Sequence, residues 1–391
     1  MQRRRVAVTG LGVISSAGIG VDAFWTGLLS PQPQGIRAVV DFDPTPLFDN
    51  PKEARRADRF TQFALAAAAQ ALEQAGELRA DPARIGVWIG TGVGGIATLE
   101  EQIVLRHEKG ERRVSPFLIP MMMANAASAA VSMRYSFQGP CENTVTACAA
   151  GTQSIGNAAR LIQYGRCDVV IAGGSEASLT PTSIAGFTNM TAMSSAGLSR
   201  PFDRERDGFV IAEGAGVLVL EEWDHAVARG ATILGEVLGS ASTADAHHIT
   251  APAPGGSGAV RCMELALADA GLQPGDIVHV NAHGTSTPAN DAAEAEALVK
   301  VFGQPGPLVT STKGVTGHAL GAAGAIEAIA VLLSMQHGLI PPTDGYANPD
   351  PDMAPINLVY GEPRPWTPGP SISNSFGFGG HNGTVVLAPA S

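Results

Sequence analysis

Cysteine is scarce in this chain: Cys141, Cys148, Cys167 and Cys262 are all that 391 residues contain. No two form a CxxC pair, which excludes a disulfide scaffold, a structural zinc motif and a thioredoxin-like motif and points to a reducing compartment. Charge is scarce as well, at 16% of residues, and basic residues are the rarer sign. There are 25 Lys and Arg against 36 Asp and Glu, a net charge of −11. Neutralising nucleic-acid phosphates or anionic lipid headgroups needs a basic surface, so neither is an expected partner. An acidic protein partner would need a local basic patch that the total hides. Long apolar runs are absent too; no window reaches the roughly 18 uninterrupted apolar residues of a membrane span. The run of Gln2 and three arginines before VAVTGLGVISSAG has the outline of a signal peptide. Thr9, Gly10 and Gly12 interrupt it, and residues 6–9 read better as a buried strand meeting a glycine turn. A soluble, cytoplasmic protein is expected.

What is present is apolar content, 45%, and 47 glycines. A chain of this length and composition builds a large core, as two or three units or one large α/β body. Strand-like runs occur at 84–90 (RIGVWIG), 168–173 (DVVIAG), 216–220 (GVLVL), 277–281 (IVHVN) and 384–387 (TVVL). Helix-like runs at 58–74, 152–163, 258–270, 290–301 and 318–336 alternate with them. That alternation predicts βαβ units and a mostly parallel sheet covered on both faces. The second half repeats the alternation of the first, so a duplication is expected, with its seam near residues 223–230 and halves of 1–228 and 229–391.

Gly90-Thr91-Gly92-Val93-Gly94-Gly95 satisfies GxGxxG after a strand, yet basic residues fill the stretch where an acidic ribose partner belongs. A tight glycine turn beside a pocket is the reading. Cys148 in VTACAAGTQSIG sits where a strand end turns into a helix. Unpaired N–H groups at a helix N-terminus favour thiolate, so a lowered thiol pKa is expected, and the same groups would hold an oxyanion. The other three cysteines read as small hydrophobes. His283 in NAHGTSTP follows the 277–281 strand, at the carboxyl end where α/β sites form. Lys313 and His318 in STKGVTGH precede a helix of small residues, which His318 is expected to start. Either histidine alone is more often a core residue. One cysteine with two histidines and a lysine, each at an element junction, points to acyl-thioester chemistry. Two histidine donors suit a step that builds negative charge on a thioester oxygen, as in decarboxylation to an enolate.

TACAAG, NAHGTSTP, STKGVTGH and NSFGFGGHN, in this order, resemble the elongating β-ketoacyl-acyl carrier protein synthases of the thiolase superfamily, particularly the ketoacyl synthase II type. The likeness covers nearly the whole chain. It implies a thiolase-like α/β fold, two pseudo-duplicated βαβ halves in an α-β-α-β-α body, and an acyltransferase performing decarboxylative Claisen condensation. Cys148 would carry the acyl group, with the N–H groups of Cys148 and Phe378 as oxyanion hole. His283 and His318 would stabilise the enolate from malonyl-carrier, Lys313 would tune them, and Phe378 would gate malonyl loading. By the same resemblance Thr285 and Thr287 would bind the pantetheine arm, and Val93, Leu118 and Phe187 would line the acyl pocket. Lys52, Arg55, Arg56, Arg59, Arg112 and Arg113 would receive the acyl carrier protein. No cofactor is implied for the chemistry; Asn281, Glu294, Glu327, Ser373 and Asn374 match a structural monovalent-cation site of some relatives, against a plain reading of Glu294 and Glu327 as buried, hydrogen-bonded carboxylates.

Three departures from the family stand out. The stretch after Leu28 is shorter, His381 replaces the commoner Thr or Val of the gate loop, and no basic residue lies between Phe187 and Leu198. The pathway stays open between fatty-acid and polyketide or polyene elongation. So does the assembly: a homodimer, or a heterodimer with a chain-length-factor-like paralogue. A non-catalytic chain-length subunit fits less well because the nucleophile is intact, and a biosynthetic thiolase less well because the C-terminal third has no cysteine.

Overall fold

The computed structural model describes residues 3–31 and 34–390. Ten strands form the framework. In the first half they are β1 (Val6–Ser15), β2 (Ile85–Gly90), β3 (Cys141–Glu142), β4 (Val169–Glu176) and β5 (Gly214–Glu222). In the second they are β6 (Gly235–Ala244), β7 (His279–Asn281), β8 (Leu308–Thr310), β9 (Ser371–Gly377) and β10 (His381–Ala388). Hydrogen bonding orders them β1-β5-β4-β2-β3 and β6-β10-β9-β7-β8, one order used twice. The first two ladders of each set are antiparallel and the last two parallel. The expected mostly parallel sheet is therefore corrected: parallel pairing is confined to the far side of each half. A short antiparallel ladder, Ala7 with Glu236 and Val8 with Gly235, joins the halves.

Six helices matter for the site: α1 (Arg59–Ala75), α2 (Ala150–Gln163), α3 (Pro181–Asn189), α4 (Ser257–Ala270), α5 (Pro288–Phe302) and α6 (Ala323–His337). α2 and α6 lie between the two sheets, in one core with Leu11, Leu218, Val385 and Leu387. α1 covers the outer face of the first sheet, and α4 and α5 the outer face of the second. The result is five layers. α6 is buried on nearly every side because it is the middle of the sandwich. Leu320–His337 is long and apolar enough to cross a membrane, but 89% of it is buried inside the fold.

Local chemistry explains the elements. Asp58 caps α1 by accepting the Phe60 N–H, and Gly76 ends that helix. β1 does not stop at a glycine turn, as expected, but runs on to Ser15. Its glycines let α1 lie against the strand: a Cβ at Gly10 would collide with the Ala71 carbonyl oxygen, and one at Gly12 with that of Ala67. A short helix, Trp223–Ala228, lies between β5 and β6.

Candidate active site

Two loops and two helix approaches converge between the sheets. Cys148 stands two residues before α2, in a turn whose Ala147 takes a left-handed φ of 48°. Such a conformation is costly for a non-glycine residue and marks an over-determined turn. From the second half, the loop after β7 carries His283, and the turn after Lys313–Thr316 carries His318. His318 does not start a helix, contrary to expectation. Its N–H donates to Val210 O (2.8 Å), its carbonyl accepts from Ala212, and a short helical turn, Leu320–Ala322, intervenes before α6.

The Cys148 sulfur and one ring nitrogen each of His283 and His318 lie within 4.8 Å of one another. The two imidazoles meet edge to face, 5.2 Å between centroids. Lys313 Nζ is 3.3 Å from His283 Nδ1 and bonded to Glu327 Oε1, with both charged partners 1% exposed. The Phe376 backbone is a further hydrogen-bond partner of the His283 ring. Burial first, and the Lys313 charge second, hold both histidines well below their ordinary range, so both rings are neutral.

Burial pushes the Cys148 thiol up to about 11, against the pull of Lys313 and the Phe378 N–H. The expected lowering is thereby corrected, because desolvation outweighs the helix terminus. Cys148 rests as a thiol. The loop between β9 and β10 lies directly over it: a Cβ at Gly377 would stand 3.0 Å from both the Cys148 nitrogen and the Thr146 oxygen. A side chain there would press on the Cys148 turn. The close approach sets the N–H of Phe378 at the sulfur, and the Phe378 ring lies 6.5 Å from that of Phe187.

Glu294 of α5 accepts the N–H groups of His283 and Gly284, each at 2.8 Å, and burial pushes it up to about 7. It holds the histidine loop to α5, which is the plain reading of this carboxylate. Burial likewise raises Glu327 to about 7, against Lys313.

A cavity of about 380 Å³ opens onto Cys148, His283 and His318. Val93 and Phe187 line it with Met190, Phe209 and Leu320, and Thr285 and Thr287 stand on its wall with their hydroxyls 2.9 Å apart. Leu118 does not line this cavity; it begins a short helix, Leu118–Met122. Lys52, Arg55, Arg56, Arg112 and Arg113 are exposed, and the Arg56 guanidinium lies over the Phe117 ring. Arg59 instead turns inward, where Glu213 and the Val39 carbonyl take its donors. Cys167 and Cys262 are buried as expected, but Cys141 is exposed on β3, the free edge of the first sheet.

Residues 31–226 match the β-ketoacyl synthase N-terminal domain, and residues 234–347 the β-ketoacyl synthase C-terminal domain. The chain belongs to the β-ketoacyl synthase family. It is 46% identical to a 3-oxoacyl-[acyl-carrier-protein] synthase 2 of Synechocystis sp., over 99% of this chain and 98% of that protein. Among solved structures, the ishigamide ketosynthase/chain length factor superposes with a TM-score of 0.93 at 33% identity, covering 100% of both chains. A type II PKS acyl-carrier protein in complex with its ketosynthase bound to the hexaketide gives 0.89 at 34%, again over 100% of both. The β-ketoacyl synthase motifs thus lie where the two halves meet. The residue that sequence reading missed is Glu176, a fully buried carboxylate at the end of β4. Its signal was a charge closing an otherwise apolar run.

Proposed function

We propose that this β-ketoacyl synthase condenses an acyl group held on Cys148 with malonyl-acyl carrier protein, releasing carbon dioxide and 3-ketoacyl-carrier. One observation carries the reading: a thiol from one half and two neutral imidazoles from the other share the end of one cavity. In acyl transfer, the Cys148 sulfur bonds to the thioester carbon and its proton passes to an imidazole nitrogen. The oxyanion rests on the Cys148 and Phe378 N–H groups, and the pantetheine thiol leaves. In the second step the malonyl C–C bond breaks, and its electron pair moves onto the thioester as an enolate. The rings of His283 and His318 stabilise the enolate oxygen. The carbanion then attacks the acyl carbon, and the Cys148 sulfur leaves as thiolate and takes up a proton from solvent to return to the thiol. Lys313 orients His283 and tunes its charge. Thr285 and Thr287 would hold the pantetheine arm, Phe378 would gate the thiol, and Val93 and Phe187 would bound the acyl chain.

Acyl carrier protein is the macromolecular partner, received on Lys52, Arg55, Arg56, Arg112 and Arg113; Arg59 is engaged elsewhere and drops out of that patch. A second protein partner fits beside β3. Ile103, Val104, Ile119 and Met133 are exposed there, on helices that pack in succession onto that free strand edge. A second copy would fill it, or a chain-length-factor-like paralogue. The halves are taken to divide at 228/229. Of the residues matching a monovalent-cation site, Asn281 Oδ1 and Glu327 Oε2 are buried without a partner among the described residues, the oxygen chemistry such an ion needs. Glu294 and Asn374 have committed their side-chain oxygens to protein donors. A bound cation would add positive charge beside the histidine loop.

The test is incubation with acyl-carrier and malonyl-carrier. Carbon dioxide and a 3-ketoacyl product are expected; full condensation by Cys148→Ala would refute the assignment.

A further inference from the structure

Glu176 closes β4 with no exposed surface, and the condensation steps make no direct use of it. Each carboxylate oxygen takes two donors. Oε1 accepts from the hydroxyls of Thr91 (3.2 Å) and Ser178 (2.8 Å). Oε2 accepts from the backbone N–H groups of Gly92 (2.7 Å) and Gly321 (3.1 Å). Thr91 and Gly92 follow β2 in the first half. Gly321 lies between His318 and α6 in the second. The two turns touch backbone to backbone, since a Cβ at Gly321 would collide with the Gly92 nitrogen. Gly92, Val93 and Leu320 are all cavity wall. The same carboxylate sits close enough to Cys148 for its charge to disfavour thiolate there.

We propose that Glu176 is a positioning residue for the condensation, holding the Thr91–Gly92 wall of the acyl cavity and the His318–Gly321 turn in one register around Cys148. This rests on the ketosynthase reading above. Its chemistry follows from the donor types. The two donors on Oε2 are backbone N–H groups, which can only donate; left without an acceptor while buried, each is costly. The two on Oε1 are hydroxyls, which can turn and accept. A glutamine therefore fits this site, with its amide oxygen on the backbone pair and its NH₂ toward the hydroxyls. An aspartate is one methylene short of both turns, and an alanine abandons them. A misplacement of about 1 Å at a reacting group costs roughly 10²-fold in rate.

The experiment compares wild type with Glu176→Ala, Glu176→Asp and Glu176→Gln, after thermal melting confirms which are folded. Turnover at saturating malonyl-carrier is measured across a ladder of acyl-carriers, together with the pH profile of Cys148 alkylation by iodoacetamide. Glu176→Asp and a folded Glu176→Ala should lose about 10²-fold in turnover. Glu176→Gln should recover at least about tenfold of that loss and move the alkylation profile to lower pH, since a negative charge leaves the thiol's surroundings. Should Glu176→Ala fail to fold, the Asp and Gln pair decides. Turnover of Glu176→Asp within about twofold of wild type, or Glu176→Gln no better than Glu176→Asp, would overturn the proposal. A wild-type protein that is alkylated at Cys148 but never condenses would sink the ketosynthase reading instead. Glu176 would then be judged on the alkylation profile alone, shifted in Glu176→Gln if it supports the site and unmoved if it does not.

Discussion

The loops after β2 and β7 occupy equivalent places in the two halves, yet one reads Thr91-Gly92-Val93 and the other Ala282-His283-Gly284. The approaches to α2 and α6 are equivalent as well, and they carry Cys148 and His318. One scaffold used twice has been given two chemistries. The first half contributes the Cys148 thiol and a stretch of cavity wall that includes Gly92. The second supplies neutral donors, backed by the buried Lys313–Glu327 pair. The fold fixes where loops meet, and only the loop residues decide which charge develops there.

That division can be broken one half at a time. Removing the nucleophile should separate the steps most sharply. Cys148→Ala should lower condensation by about 10⁶-fold, as for other covalent nucleophiles, while carbon dioxide release from malonyl-carrier continues on the histidines of the second half. Equal loss of both, followed by product and gas analysis, would show that the halves do not act separately. Next comes the charge that backs the histidines. Lys313→Ala leaves Glu327 buried without its cation, a cost of about 3–5 kcal/mol measurable by urea unfolding. Lys313→Met combined with Glu327→Gln should cost less than Lys313→Ala alone. His283→Ala should slow decarboxylation by about 10²–10³-fold and acyl loading of Cys148 by less, which stopped-flow and intact-mass time courses would separate.

The smallest effect is in the pH dependence of the first half. The thiol keeps its proton up to about 11, whereas an ordinary cysteine releases it near 8.5. Alkylation of native Cys148 should therefore rise about tenfold per pH unit from neutrality to pH 10, while a denatured control levels off near its ordinary value. The linked stability has the matching sign: between those two values the unfolded chain binds fewer protons, so stability falls as pH rises.

Much of the candidate site is legible in the sequence. Cys148, His283, Lys313 and His318 each stand where an apolar run gives way to glycine or small residues, which is where a chain turns and exposes chemistry. Strand direction was not legible, because strands buried on both faces lose the alternation that marks an antiparallel sheet. β1 is buried throughout, and its glycines looked like a turn because the helix that needs them lies more than 50 residues away. The direction of the thiol shift was missed for a similar reason. The helix N-terminus is local sequence, but the desolvation comes in part from the Gly377–Phe378 loop, some 230 residues further on. Arg59 reads as surface charge because its partner Glu213 lies 154 residues away.

The most direct test is intact-protein and peptide mass spectrometry after exposure to a ladder of acyl-carriers. An added mass equal to the acyl group, confined to the peptide bearing Cys148 and discharged by malonyl-carrier as 3-ketoacyl product, is the predicted result. No adduct on Cys148, or an adduct that malonyl-carrier leaves in place, would contradict it.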